Sequence, residues 1–181
     1  MNSKIKFNVA NIKLCTKTEG PYKRCCIWFQ GCNIGCKGCC NKDLKPLIPK
    51  HILSLNELLN IVKEAKERFD IEGITLSGGE PSLQTFLKEF NEEVHNLGLG
   101  IIMFSGKEKE QLDQALLHSV DLLIDGPFIK DKKDNKRILL GSTNKNLVFV
   151  TNRYVDVKNY FYNPIAIEEI TVEDYIFING D

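Results

Sequence analysis

Apolar residues along this 181-residue chain fall into short runs that alternate with helical stripes. Residues 25–31, Cys-Cys-Ile-Trp-Phe-Gln-Gly, form an apolar run closed by glycine, the pattern of a buried strand. Ser54-Leu55-Asn56-Glu57 has the form of a capping box, and Leu55, Leu58, Leu59, Val62, Ala65 and Phe69 follow at helical spacing. A second strand, 73–77, leads into a helix with Leu83, Phe86, Leu87, Phe90 and Val94 on one face and Gly98 as its stop. Strand, helix and strand recur at 100–104, 107–117 and 120–124. Units of this kind specify an α/β fold with parallel strands and right-handed crossovers.

The polar exceptions to this pattern gather at the carboxyl ends of the strands. Gly31-Cys32 follows the first strand, Ser77-Gly78-Gly79-Glu80-Pro81 the second, Ser105-Gly106 the third and Asp125-Gly126-Pro127-Phe128 the fourth. In parallel α/β sheets and barrels that rim carries the active site.

Composition narrows the setting. Seven cysteines is an odd number, and most crowd between Cys25 and Cys40, whereas a disulfide framework spreads its cysteines along the chain. No apolar run reaches the length of a membrane span, and Met1-Asn2-Ser3-Lys4 is no signal peptide, so a soluble cytoplasmic protein is expected. Net charge is zero, yet residues 1–50 hold ten Lys and Arg against two acids, a local +8. A basic lobe of this kind steers an acidic protein such as a flavodoxin- or ferredoxin-like electron donor, or is simply a solvated face. The positive charges are too scattered to suggest nucleic acid.

The densest chemistry lies in Cys32-Asn-Ile-Gly-Cys36-Lys-Gly-Cys39. A four-iron cluster normally takes four thiolates, so three leave one iron open for a ligand that reacts. Gly35 and Gly38 allow the loop to turn tightly around a cluster. A zinc knuckle or a simple ferredoxin-like carrier would also use clustered cysteines, but neither has need of a Gly-Gly-Glu-Pro segment downstream. Cys15, Cys25 and Cys26 read as small buried apolar residues, and His51, His95 and His118 lack metal-ligand spacing. By itself Ser77–Pro81 also reads as an ordinary turn ahead of a helix capped by Ser82, and Asp125 as a turn residue or a carboxylate needing a cation, a donor or solvent at the rim.

Together, the Cys-x3-Cys-x2-Cys spacing and the Gly-Gly-Glu-Pro segment resemble the radical S-adenosylmethionine (SAM) superfamily. Gly20-Pro21-x-x-Arg24, Gln30-Gly31-Cys32, Val120-Asp121, Asp125–Phe128 and Gly141-Ser142-Thr143-Asn144 resemble more closely the activating enzymes of anaerobic ribonucleotide reductases, over residues 8–150. The resemblance implies a partial TIM-like β/α barrel over 1–150, with 151–181 as a β-hairpin-like extension packed on the same domain. It implies one 4Fe-4S cluster on Cys32, Cys36 and Cys39, and SAM held by Ser77, Gly78, Gly79, Glu80, Ser105, Asp125 and Gly38. It further implies reductive cleavage of SAM to a 5′-deoxyadenosyl radical that generates a glycyl radical on a partner enzyme. No residue is assigned as an acid, base or nucleophile. Departures from the family pattern are Cys40 where an aromatic is usual, Lys107 for Tyr, and Leu140 and Lys145 for Arg and Gln around 141–144. They keep open a radical SAM enzyme acting on a peptide or small metabolite; a noncatalytic carrier is the remaining alternative. The basic run 130–137 reads as a solvated loop or a partner contact, and 165–170 with 175–178 as two β-like runs around Glu173-Asp174.

Overall fold

The computed structural model describes residues 5–162, together with the backbone of 169–172 and 176–179. Seven strands form one mixed sheet: β1 (Lys6–Thr16), β2 (Arg24–Phe29), β3 (His51–Ser54), β4 (Gly73–Gly78), β5 (Gly100–Phe104), β6 (Leu122–Asp125) and β7 (Asn146–Phe149). Their order is β3-β1-β2-β4-β5-β6-β7. The pairs β2–β4, β4–β5 and β5–β6 are parallel, as the alternating pattern predicts. Antiparallel strands flank them, with β1 against β2 and β3, and β7 against β6. The hydrophobic pattern did not reveal β1, whose register against β2 shifts twice along its 11 residues. Such shifts break the period-2 alternation by which a strand is recognised.

Helix α1 (Leu55–Phe69) begins at the expected box: Ser54 Oγ accepts the Glu57 N–H at 3.3 Å, and the Glu57 carboxylate accepts the Ser54 N–H at 2.7 Å. The next helix, α2, is shorter than its apolar stripe and spans Leu87–Asn96. Pro81–Leu83 forms a separate 3-10 turn ahead of it. Gln84, between the two, sends its side-chain oxygen to the Asn8 N–H at 2.9 Å on β1. Ser82 caps neither element: the Glu80 side chain accepts the Ser82 N–H, and Phe86 at the start of α2 makes no side-chain cap. The stretch 107–117, read as one helix, divides into a turn at Lys109–Gln111 and the short α3 (Gln114–Leu117), which Asp113 caps. An N-cap needs non-helical backbone at its own position, so the Asp113 cap interrupts the helix.

The central strands are covered on both faces. Ile101, Met103 and Leu123 join the core beneath α1 and α2, while Ile102, Leu122 and Ile124 face a second core with Leu140, Tyr154 and Phe161. Burial on both sides explains their continuous apolar runs. Tyr154 and Phe161 come from a helical segment, Asn152–Phe161, and are fully buried. Beyond it, β8 (Glu169–Val172) and β9 (Ile176–Asn179) pair antiparallel, as expected of the two terminal runs, in a sheet of their own. The acidic positions expected to join them lie outside the described residues.

Arg24, at the start of β2, is fully buried and organises the opposite end of the sheet from the motif-bearing rim. Its guanidinium donates to Thr75 Oγ1 at 2.8 Å, Glu72 Oε2 at 2.9 Å, the Tyr154 hydroxyl at 2.9 Å and the Ile74 carbonyl at 2.5 Å. A buried guanidinium is tolerable because its donors are met by oxygens in the planes its fork presents.

Candidate functional site

The loop after β2 is closed at its base by two main-chain bonds, Gly31 N–H to the Leu44 carbonyl at 2.8 Å and Cys32 N–H to the Lys45 carbonyl at 3.0 Å. Between these ties run Cys32, Cys36 and Cys39, all half-buried. The Lys45 ammonium donates to the Cys36 carbonyl at 2.7 Å and braces the loop across its width. Phe128 and Lys130 lie over Gly38, where an added Cβ would come within 3.6 Å and 3.5 Å of their side chains.

The segment after β4 is stitched to this loop. Gly79 N–H donates to the Phe29 carbonyl and Glu80 N–H to the Gly31 carbonyl, each at 2.8 Å. Only glycine permits the approach: a Cβ on Gly78 would stand 2.4 Å from the Phe29 nitrogen, and one on Gly79 2.1 Å from the Gly31 oxygen. Asn41, just past the cysteines, donates to the Gly78 carbonyl at 3.1 Å. Ser77 is the penultimate residue of the same strand, in register with Trp28.

Glu80 is completely buried and accepts three bonds. Its Oε1 takes Ser105 Oγ at 2.9 Å and the Ser82 N–H at 3.1 Å; its Oε2 takes the Gly106 N–H at 2.8 Å. Ser105 in turn accepts the Lys107 N–H at 3.0 Å. Glu80 and Ser105 therefore lock the ends of β4 and β5 together. Asp125, nearly fully buried, meets donors as the sequence requires, namely the Lys109 N–H and the Asn146 side-chain amide, both at 2.9 Å.

Lys145, visible in the sequence only as a departure from a family pattern, lies inside the rim. Its ammonium donates to the Gly126 carbonyl at 2.6 Å and approaches the Ser105 carbonyl at 3.5 Å. Burial lowers its pKa, against the field of Cys36, Glu80, Asp125 and Cys40, which favours the charged form. Burial raises the Cys32 thiol, with Glu80, Cys36 and Cys39 adding to the rise against the lowering effect of the Ile34 backbone bond. The cysteine loop, Glu80, Asp125 and Lys145 thus lie together at the carboxyl-end rim of the parallel strands.

The remaining cysteines differ in their surroundings. Cys25 and Cys26 are fully buried, and burial pushes Cys25 up to about 12 and Cys26 well above its usual value, so both remain inert thiols. Cys40 is exposed. His95 has a role in the frame that spacing did not reveal, bonding Asp121 Oδ2 at 3.0 Å.

Among the described residues, no group of three His, Cys, Asp or Glu side chains is placed to hold a single metal ion. A four-iron cluster draws one thiolate to each iron and so spreads its ligands, which suits three half-buried thiols on one closed loop. The donor set fits such a cluster.

Comparison with known proteins agrees. Residues 18–148 match the family model described as a 4Fe-4S single cluster domain, which defines the class as a one-cluster iron-sulfur protein. The anaerobic ribonucleoside-triphosphate reductase-activating protein of Vibrio cholerae is 31% identical over 136 residues, covering 70% of this chain and 88% of that protein. Its counterpart in Escherichia coli K12 is 30% identical over 138 residues with the same coverage. Among solved structures, QueE from Escherichia coli shares the fold, with a TM-score of 0.51 and 13% identity over 66% of this chain and 71% of that one. The chain belongs to the family of anaerobic ribonucleoside-triphosphate reductase-activating proteins, radical SAM enzymes whose cofactors are one 4Fe-4S cluster and S-adenosylmethionine. Among the described residues, no helix is long and apolar enough to cross a membrane.

Proposed function

We propose that this chain installs a glycyl radical in an anaerobic ribonucleoside-triphosphate reductase, with Cys32, Cys36 and Cys39 as cluster ligands and Ser77, Gly78, Gly79, Glu80, Ser105, Asp125 and Gly38 forming the SAM site. The observation that carries this reading is the pair of main-chain bonds, Gly79 to Phe29 and Glu80 to Gly31, that makes the cysteine loop and the Gly-Gly-Glu segment one rigid unit. Bound together, cluster and SAM supply one-electron cleavage of a sulfonium carbon-sulfur bond and hence a carbon radical able to take a hydrogen atom.

The chain's own residues hold and orient. Glycine at 78 and 79 lets the segment after β4 lie directly against the Phe29 and Gly31 backbone, which brings the proposed ligand site next to the cysteine loop. The Glu80 carboxylate accepts from the Ser105 hydroxyl and the Gly106 N–H and so fixes the end of β5 beside the proposed SAM site. Asp125 holds the 109 and 146 segments in place, and Lys145 supplies a positive charge among the carboxylates and thiols. Phe128 and Lys130 lie next to Gly38, which itself stays exposed. The parallel strands β2, β4, β5 and β6 act as a partial barrel with its rim open to a loop of the partner, residues 151–181 completing the same domain. Reduction comes from a flavodoxin- or ferredoxin-like donor in the cytoplasm.

The test is anaerobic mixing of the reconstituted protein, SAM and dithionite with the reductase of the same organism. A glycyl-radical doublet in the electron paramagnetic resonance spectrum is expected. Formation of 5′-deoxyadenosine without that doublet would overturn the assignment of the partner.

A further inference from the structure

The segment between the cysteine loop and β3 presents its apolar side chains outward. Leu47 is 71% exposed and Ile48 57%, and Ile52, at the start of the edge strand, is 44% exposed. Apolar side chains exposed next to one another and rimmed by polar residues, unlike ones scattered singly, mark contact surfaces. Here the backbone that carries them is anchored with unusual completeness. Asn8 grips it with both ends of its amide, donating to the Ile48 carbonyl at 2.8 Å and accepting the Lys50 N–H at 2.9 Å. Gln30, itself buried, donates to the Pro46 carbonyl at 2.8 Å. Pro46 and Pro49 bracket the exposed pair and remove further backbone freedom. A ridge held rigid in the free protein loses little conformational entropy on docking.

Its charge and position specify what docks. From Cys32 to His51 the chain carries Lys37, Lys42, Lys45 and Lys50 against the single acid Asp43, and Lys37, Lys42 and Lys50 are exposed. An apolar centre with a basic rim complements an apolar patch fringed by carboxylates. The ridge abuts the cluster loop: a Cβ on Gly31, next to Cys32, would lie 3.0 Å from Leu47 Cδ2. In the strand order, it precedes β3 on the β1 side of β2, whereas Ser77–Glu80, Ser105 and Asp125 follow β4, β5 and β6 on the other side. A protein seated on the ridge therefore reaches the cysteine loop while leaving the opposite side of the rim free.

We infer that Leu47, Ile48 and the lysines around them form the docking surface for a small acidic one-electron carrier protein, which passes one electron to the cluster and is itself oxidised by one electron. The inference rests on the cluster assignment proposed above, and binding can be measured independently of catalysis. The probe is the flavodoxin of the same organism, bound to immobilised holoprotein, and 5′-deoxyadenosine formation is followed with either reduced flavodoxin or dithionite as reductant.

The Leu47→Ser/Ile48→Ser variant is expected to bind flavodoxin at least tenfold more weakly and to lose flavodoxin-driven cleavage to the same extent, with dithionite-driven cleavage within twofold of wild type. Lys42→Glu/Lys50→Glu should do the same, and wild-type affinity should fall as salt is raised. Unchanged flavodoxin affinity in both variants would overturn the inference, as would lost radical transfer to the reductase with flavodoxin-driven cleavage intact. Absence of SAM cleavage with dithionite in the wild type would refute the enzymatic reading instead, and the binding measurements would still decide the ridge.

Discussion

Replacing Glu80 by Gln changes one oxygen to an amide nitrogen in a fully buried site whose three neighbours donate to it. If the nitrogen takes the place of Oε2, it opposes the Gly106 N–H, which stands 2.8 Å away and has no rotation available. If it takes the place of Oε1, it opposes the Ser82 N–H; Ser105 could turn to accept, but its hydroxyl already accepts from Lys107. Either way at least one buried main-chain donor loses its acceptor, and the surviving bonds lose their charge assistance. An unpaired buried donor costs about 1–3 kcal/mol, and a bond to a charged group is worth about 1.5–3 kcal/mol, so with partial relaxation a net loss of about 2–4 kcal/mol is expected. In urea titration of the cluster-free protein, with a slope of about 2 kcal/mol/M, the midpoint should fall by about 1–2 M. SAM affinity of the reconstituted variant should fall as well, since Ser105 and Gly106 lose their anchor. A midpoint within about 0.3 M of wild type, at an unchanged slope, would refute the claim that this carboxylate ties the two strand ends together.

Four further outcomes follow from the same structure. Arg24→Met should destabilise the fold by about 1–3 kcal/mol in urea titration, because Thr75 Oγ1, the Tyr154 hydroxyl and the Ile74 carbonyl lose a buried donor, while Glu72 keeps its bonds from Tyr154 and Arg153. Gly79→Ala, whose Cβ would fall 2.1 Å from the Gly31 oxygen, should separate the Gly-Gly-Glu segment from the cysteine loop; iron per chain after reconstitution should drop severalfold. Cys32→Ser, Cys36→Ser and Cys39→Ser should each abolish the four-iron absorption, whereas Cys40→Ser should retain about four irons per chain by iron analysis. Burial alone would raise Asp121, but bonds from His95, Thr151 and the Ile101 N–H outweigh it and hold its pKa below the ordinary value. A depressed carboxylate contributes stability above its unfolded value of about 3.9 and loses it as pH falls. Urea midpoints should therefore drop below about pH 4, and Asp121→Asn should flatten that slope.

Much of this protein was legible before its structure because its signals are local. A buried parallel strand must be an apolar run, an N-cap must be Ser54 with Glu57 three residues on, and a close backbone approach must be glycine, so Gly78 and Gly79 announce themselves. The three-cysteine spacing and the motif at each strand end belong to this class, since each is set by the few residues around it. What remained hidden depends on residues distant in sequence. The shifted register of β1 against β2 concealed a strand, and the Asp113 cap divided a stretch read as one helix.

Side-chain partners were beyond local reach for the same reason. That Glu80 would hold Ser105 and Gly106, that Arg24 would be buried against Tyr154 across 130 positions, and that Lys145 would enter the rim follow only from the sheet order. By itself the sequence determined the strand-and-helix alternation and the placing of a motif at the carboxyl end of each parallel strand, because spacing and residue type suffice for these. Tertiary structure alone decided which partners these polar groups bond, because a buried donor or acceptor is satisfied by whatever the fold brings within about 3 Å of it.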